Sequence, residues 1–174
     1  KEYPISEIIT HFKSNHWLEK LIQNTQLVIT GGEPLLQQKN LIELLNQLKK
    51  TIKIKPRIEI ETNGTIKATQ QLDHFITQYN VSPKLKNCGL KKQKRINPVS
   101  LQFFIQNKKS IFKFVLNNSS EEKQLFNEYL NEYQINPKKI YIMPACQTAI
   151  DCTKKQIDLI EFCKKNQFNY STRL

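Results

Sequence analysis

Apolar stretches with helical spacing alternate with short strand-forming stretches along almost the whole chain, and no tight hairpin turn joins any two strands. A chain with that order cannot pair its strands as a meander. It must return each strand through a helix, which specifies a parallel sheet wound by right-handed crossovers. The spacing predicts helices over 5–23, near 40–50, near 68–73 (short), 98–107, 119–133 and 153–166. Strands are expected at 26–30, 57–62, 75–81, 111–116, 139–143 and 168–172. Ser6 is a candidate N-cap for the first helix, whose stripe is Ile8, Ile9, Phe12, Leu18, Leu21 and Ile22. Leu41, Leu44, Leu45 and Leu48 are expected to face inward from the second. Ser119 and Glu122 form an S-x-x-E capping box.

In parallel sheets of this kind, ligands bind at the carboxyl ends of the strands. Four unusual strings fall at such ends: Thr30 to Pro34, Glu61 to Thr65, Ser82 to Lys84, and Met143 to Gln147. In the first, Leu27-Val28-Ile29-Thr30 runs straight into Gly31-Gly32-Glu33-Pro34. Paired glycines let the backbone turn and let a ligand come close, Glu33 can accept from an ammonium group, and Pro34 stops the ladder. An ordinary tight βα loop would also use two glycines, so the pair alone says little. Asn63-Gly64 is a turn dipeptide after the second strand.

At 174 residues, 39% hydrophobic and 24% charged, the chain is expected to form one soluble domain. No apolar run reaches the roughly 20 residues of a membrane span, and the cytoplasm is the expected compartment. The formal net charge of +12 admits an anionic substrate or nucleic acid, but the lysines are spread along the chain and fit solvated helix faces. The one dense run is Lys84 to Arg95. Cys88, Cys146, Cys152 and Cys163 show no C-x-x-C, so neither a zinc site nor a disulfide framework is expected. Cys163 lies on an apolar stripe, and Cys152 is expected to precede a helix. His11, His16 and His74 make no metal or triad pattern.

The string Thr30-Gly31-Gly32-Glu33-Pro34 resembles the loop with which radical S-adenosylmethionine (SAM) enzymes hold the amino group of the SAM methionine. With Glu61-Thr62-Asn63-Gly64-Thr65, Ser82-Pro83-Lys84 and the ending Tyr170-Ser171-Thr172-Arg173-Leu174, the chain resembles the 7-carboxy-7-deazaguanine synthases of that superfamily. The resemblance implies an α/β fold, a parallel curved sheet forming an incomplete (βα)6 radical SAM barrel with its first strand missing. It implies that Thr30 meets a pterin substrate, that Gly31, Gly32 and Glu33 hold the methionine end of SAM, and that Ser82, Pro83 and Lys84 line the SAM pocket. Met143, Pro144, Ala145 and Cys146 would cradle the adenosine side; otherwise Met143 is a core side chain and Cys146 an inert loop thiol. No residue is singled out as catalytic.

The implied reaction is lyase chemistry in queuosine biosynthesis: SAM-dependent radical ring contraction of 6-carboxy-5,6,7,8-tetrahydropterin to 7-carboxy-7-deazaguanine. The family implies a 4Fe–4S cluster, Mg2+, a reductant such as flavodoxin and a homodimer, with no direct contact to nucleic acid or membrane. The three-cysteine loop, the magnesium residue and a C-terminal tail of the family have no counterpart in these residues. The chain also opens on a helix with no strand before it. It therefore reads as a fragment or truncated homologue, inactive by itself. The alternatives are an activating enzyme that makes a glycyl radical on a partner, and a non-catalytic basic module for tRNA or another anion.

Overall fold

A computed structural model describes residues 3–117, 119–146 and 148–172. The strands are β1 (Gln26–Ile29), β2 (Arg57–Thr62), β3 (Gln78–Val81), β4 (Ser110–Leu116), β5 (Ile140–Pro144) and β6 (Asn169–Tyr170). They take the order β1-β2-β3-β4-β5-β6 in one sheet. The pairings of β1 with β2, β4 with β5 and β5 with β6 are parallel, as helix-joined strands require. The chain divides into two units, one of Lys1–Glu61 and Ala68–Tyr79, the other of Thr62–Lys67 and Asn80–Leu174.

In the first unit the expected helix over 5–23 is two helices, α1 (Ile5–Ser14) and α2 (Trp17–Ile22). His16 between them takes φ 57°, and the Asn15 side chain donates to the His11 carbonyl at 2.9 Å, closing α1 with its own polar group. The break turns Trp17 edge-on to Phe12 and His11, both at 5.3 Å. It also leaves Ile22 exposed rather than on the buried stripe. α1 starts after Pro4, so Ser6 lies inside the helix and caps nothing. α3 (Gln38–Ile52) buries Leu45, Leu48 and Ile52, with Leu41 and Leu44 half-buried. Thr69 caps the single turn α4 (Gln70–Asp73), its hydroxyl accepting from Leu72 N at 3.3 Å.

In the second unit the basic run Lys84 to Arg95 contains the short helix α5 (Lys92–Arg95). α6 (Pro98–Gln106) begins with the Asn97 side chain accepting from Ser100 N and with Pro98 at its first position. β4 alternates strictly, burying Phe112, Phe114 and Leu116, and β5 buries Ile140 and Ile142. The next helix runs as α7 (Ser119–Leu125), a π-helical turn over Phe126–Leu130, and α8 (Asn131–Tyr133). The side chain of Ser119 lies outside the described residues, so its half of the expected capping box does too. The Glu121 carboxylate also serves the helix entry. It accepts from Asn117 N and, at 2.9 Å, from the Asn87 amide. α9 (Ala149–Asn166) starts four residues earlier than expected, capped by Thr148 accepting from Asp151 N.

Candidate functional site

In the first unit, β1 delivers Thr30 to an exposed position where its hydroxyl donates to the Glu61 carboxylate at 3.0 Å. Gly31 and Gly32 follow with φ of +95° and +53°, a backbone path that side chains rarely tolerate. A Cβ built on either would meet nothing within 4 Å. The pair is therefore a bare stretch of backbone beside open space, the geometry a closely approaching ligand needs. Glu33 is extended and half-buried, and its carboxylate accepts from Leu35 N at 3.2 Å. That bond caps a one-turn helix over Pro34–Gln37, whose first two residues are buried and anchor the loop.

In the second unit, Thr62 ends β2 and its hydroxyl accepts from Gly64 N at 3.1 Å. The Asn63 side-chain carbonyl takes Thr65 N at 2.8 Å and the Thr65 hydroxyl at 2.6 Å, an Asx turn. Gly64 has φ +80°, and a Cβ there would lie 2.8 Å from the Val81 Cγ1. Ser82 N donates to the Thr62 carbonyl at 2.7 Å, which continues the ladder to the Ser82-Pro83-Lys84 turn. Pro83 and Leu85 are buried, while the Lys84 side chain is exposed. The Lys84 carbonyl points the other way. It accepts from Arg95 Nη1 at 3.1 Å and from the Tyr129 hydroxyl at 2.8 Å.

At the end of β5, Ala145 N donates to the Leu116 carbonyl at 2.8 Å, and the Lys155 ammonium donates to the Ala145 carbonyl at 2.8 Å. Lys155 also bonds Asn117 Oδ1 at 2.8 Å and Asp151 Oδ2 at 3.0 Å. Met143 and Ala145 are half-buried, Pro144 and Cys146 buried. Met143 is thus not a closed core residue. Cys146 is no inert thiol either: it is bonded to Cys152, with Cα atoms 5.2 Å apart. This overturns the expectation of no disulfide. Cys152 lies in the first turn of α9 rather than before it, and that turn brings it back to the loop six residues away. Gln147, the last residue of the expected string, lies outside the described residues, as do Arg173 and Leu174.

Each sequence-predicted site residue that the structure describes thus lies at the carboxyl end of its strand. The first unit brings Thr30 to Glu61; the second brings Thr62 to Ser82 and Leu116 to Ala145. Arg95, Glu128, Tyr129 and Lys155 were not expected there. Arg95 closes the one dense basic run, yet it is 4% exposed and bound at two points by Glu128, at 2.6 and 2.9 Å. Lys92 is paired with Glu132 at 2.6 Å. The run is therefore partly neutralised. Among the described residues no group of three His, Cys, Asp or Glu side chains could hold a metal ion, and no helix is long and apolar enough to cross a membrane.

No family model matches the chain. The 7-carboxy-7-deazaguanine synthase of Pyrobaculum aerophilum is 32% identical over 122 residues, which cover 70% of this chain and 50% of that protein. The enzyme of the same name from Hyperthermus butylicus is 30% identical over 156 residues, 85% of this chain and 63% of that one. Among solved structures, QueE from Escherichia coli superposes with a TM-score of 0.63 at 18% identity, covering 98% of this chain and 64% of its own. SuiB from Streptococcus suis, solved bound to S-adenosylmethionine, does so with a TM-score of 0.53 at 15% identity, covering 92% and 43%. These two share the fold. The chain is a homologue of the 7-carboxy-7-deazaguanine synthases, and it spans 50% and 63% of the two curated relatives it matches.

Proposed function

We propose that this chain supplies SAM-binding and substrate-binding parts of a 7-carboxy-7-deazaguanine synthase. That enzyme would carry out SAM-dependent radical ring contraction of 6-carboxy-5,6,7,8-tetrahydropterin, a lyase step in queuosine biosynthesis in the cytoplasm. The observation that carries the reading is the glycine pair: Gly31 and Gly32 lie bare beside open space in the loop whose sequence suggested SAM binding. In this reading the two glycines admit the methionine end of SAM to the backbone, and Glu33 holds the loop rigid through its bond to Leu35 N. Thr30 presents a hydroxyl, already oriented by Glu61, to the pterin. Lys84 offers an exposed ammonium to a carboxylate. Met143, Pro144, Ala145 and Cys146 line the adenosine side, Cys146 through its backbone because its sulfur is bonded. When bound, and given one electron from an external reductant, SAM would supply the hydrogen-abstracting chemistry of the ring contraction.

The described residues do not fit an iron–sulfur cluster. Cys146 and Cys152 are joined, Cys163 is buried, and no three ligands converge. SAM affinity of this chain then rests on a few hydrogen bonds of about 1 kcal/mol each and on stacking, which predicts binding in roughly the millimolar range, about 4 kcal/mol. Calorimetric titration with SAM tests this against Gly32→Asn. Asparagine accepts a left-handed φ, so the loop survives while a side chain enters the open space. Binding by the parent and loss in Gly32→Asn is the expected result. Equal binding by both, together with loss in Lys92→Ala, would replace the reading with that of a basic anion-binding module.

A further inference from the structure

We infer that Arg95, Glu128 and Tyr129 are positioning residues for the Ser82-Pro83-Lys84 turn, fixing the Lys84 backbone so that its side chain is presented to the SAM carboxylate; this rests on the proposed function. The Lys84 carbonyl takes two donors, Tyr129 Oη at 2.8 Å and Arg95 Nη1 at 3.1 Å. Two residues on, Lys86 N donates to Gln124 Oε1 at 3.1 Å, and Gln124 Nε2 in turn donates to Glu128 at 2.9 Å. Three side chains of one helix therefore fasten the same turn, two of them directly and Glu128 through Arg95.

Stability does not account for the arrangement. Desolvating an ion pair costs about what the pairing returns, and apolar side chains of the same volume often serve as well. The Arg95 Nε is buried without a hydrogen-bond partner, which adds a further cost. Glu128 and Tyr129 also lie in the π-helical turn Phe126–Leu130, a wider and less favourable form that recurs at functional sites. What the cluster secures is geometry. Pro83 and Leu85 on either side are buried, and the Lys84 side chain between them is exposed. Burial raises the Tyr129 hydroxyl's pKa, so it stays protonated and remains a donor throughout the neutral range.

The test is a double-mutant cycle read in SAM affinity. Tyr129→Phe removes one hydroxyl and keeps the ring on Phe114, 5.1 Å away. We expect SAM binding to weaken several-fold because the turn is less firmly held, with only the small fall in thermal midpoint that one lost internal hydrogen bond brings. Lys84→Ala should weaken binding too, and the two losses should combine to less than their product, because Tyr129 acts through Lys84. A second variant, Arg95→Met with Glu128→Leu, replaces the ion pair by apolar volume and should keep the midpoint while losing SAM affinity. Unchanged affinity in Tyr129→Phe, or losses that multiply with Lys84→Ala, overturns the inference. So does affinity that falls only in step with the midpoint in both variants, which marks a purely structural role. If the unsubstituted chain does not bind SAM, the proposed function fails first and this inference with it, and the parent isotherm alone identifies that case.

Discussion

The Thr30 hydroxyl donates to the Glu61 carboxylate at 3.0 Å, so the residue at the end of β1 is oriented by the next strand along. Both side chains are exposed, and an exposed bond of this kind contributes little to folding. We predict that Thr30→Val changes the unfolding free energy by less than about 0.5 kcal/mol in urea titrations. The same variant should bind the carboxylated tetrahydropterin several-fold more weakly. A large stability loss with unchanged pterin affinity would assign Thr30 to the scaffold instead.

The glycines separate by what surrounds them. Gly64→Ala must accept φ +80° and also force its Cβ against Val81 Cγ1 at 2.8 Å, whereas Gly31→Ala meets only the backbone strain at φ +95°. The first should cost about 2–4 kcal/mol, combining strain with overpacking, and the second about 1–2 kcal/mol. Urea midpoints of the two variants give the order directly; equal losses would contradict it.

Arg95, hydrogen-bonded to Glu128, holds the Glu128 carboxyl below its ordinary 4.5. A depressed carboxyl contributes stability that is present above the ordinary value and lost as pH falls through the lowered one. Glu128→Gln should therefore destabilise at pH 7 by about 1.5–3 kcal/mol, the range for a hydrogen bond to a charged group. The gap to the unsubstituted chain should close in acid. A gap that stays constant down to pH 3 would mean the ion pair is not its source.

Cysteine reactivity follows from the pairing of Cys146 with Cys152. Cys88 is exposed, while burial pushes the Cys163 thiol up to about 11 and leaves it about a hundredfold poorer in thiolate than an ordinary thiol. In mass spectrometry, a maleimide at neutral pH should label Cys88 alone in the folded, oxidised chain, and all four cysteines after reduction and unfolding. Rapid labelling of Cys152 without reductant would show that the bond is absent.

Much of this was legible in the residues. The strand Arg57–Thr62, in which β-branched Ile58, Ile60 and Thr62 alternate with charged residues before Asn63-Gly64, has the bounds expected of it. The helix expected over 98–107 is found as Pro98–Gln106. The errors fall where a local pattern has two solutions. The stripe over 5–23 reads as one helix because apolar residues recur on both sides of Ser14-Asn15-His16, where the Asn15 side chain closes α1 on the His11 carbonyl and Trp17 packs on Phe12. Glu121 takes part at the start of α7 through Asn87, 34 residues away, a contact no local pattern shows.

The order of elements and the glycine loop were determined by the sequence itself, because strand-helix alternation leaves one way to pair strands and a positive φ at Gly31 and Gly32 is written in their lack of Cβ. Only the tertiary structure decided that Arg95 is a buried ion-pair member rather than one more surface cation, and that Cys146 meets Cys152. Charge and sulfur carry no periodicity. Their partners are set by which helix turn packs over which strand end, a long-range fact that no window of neighbouring residues contains.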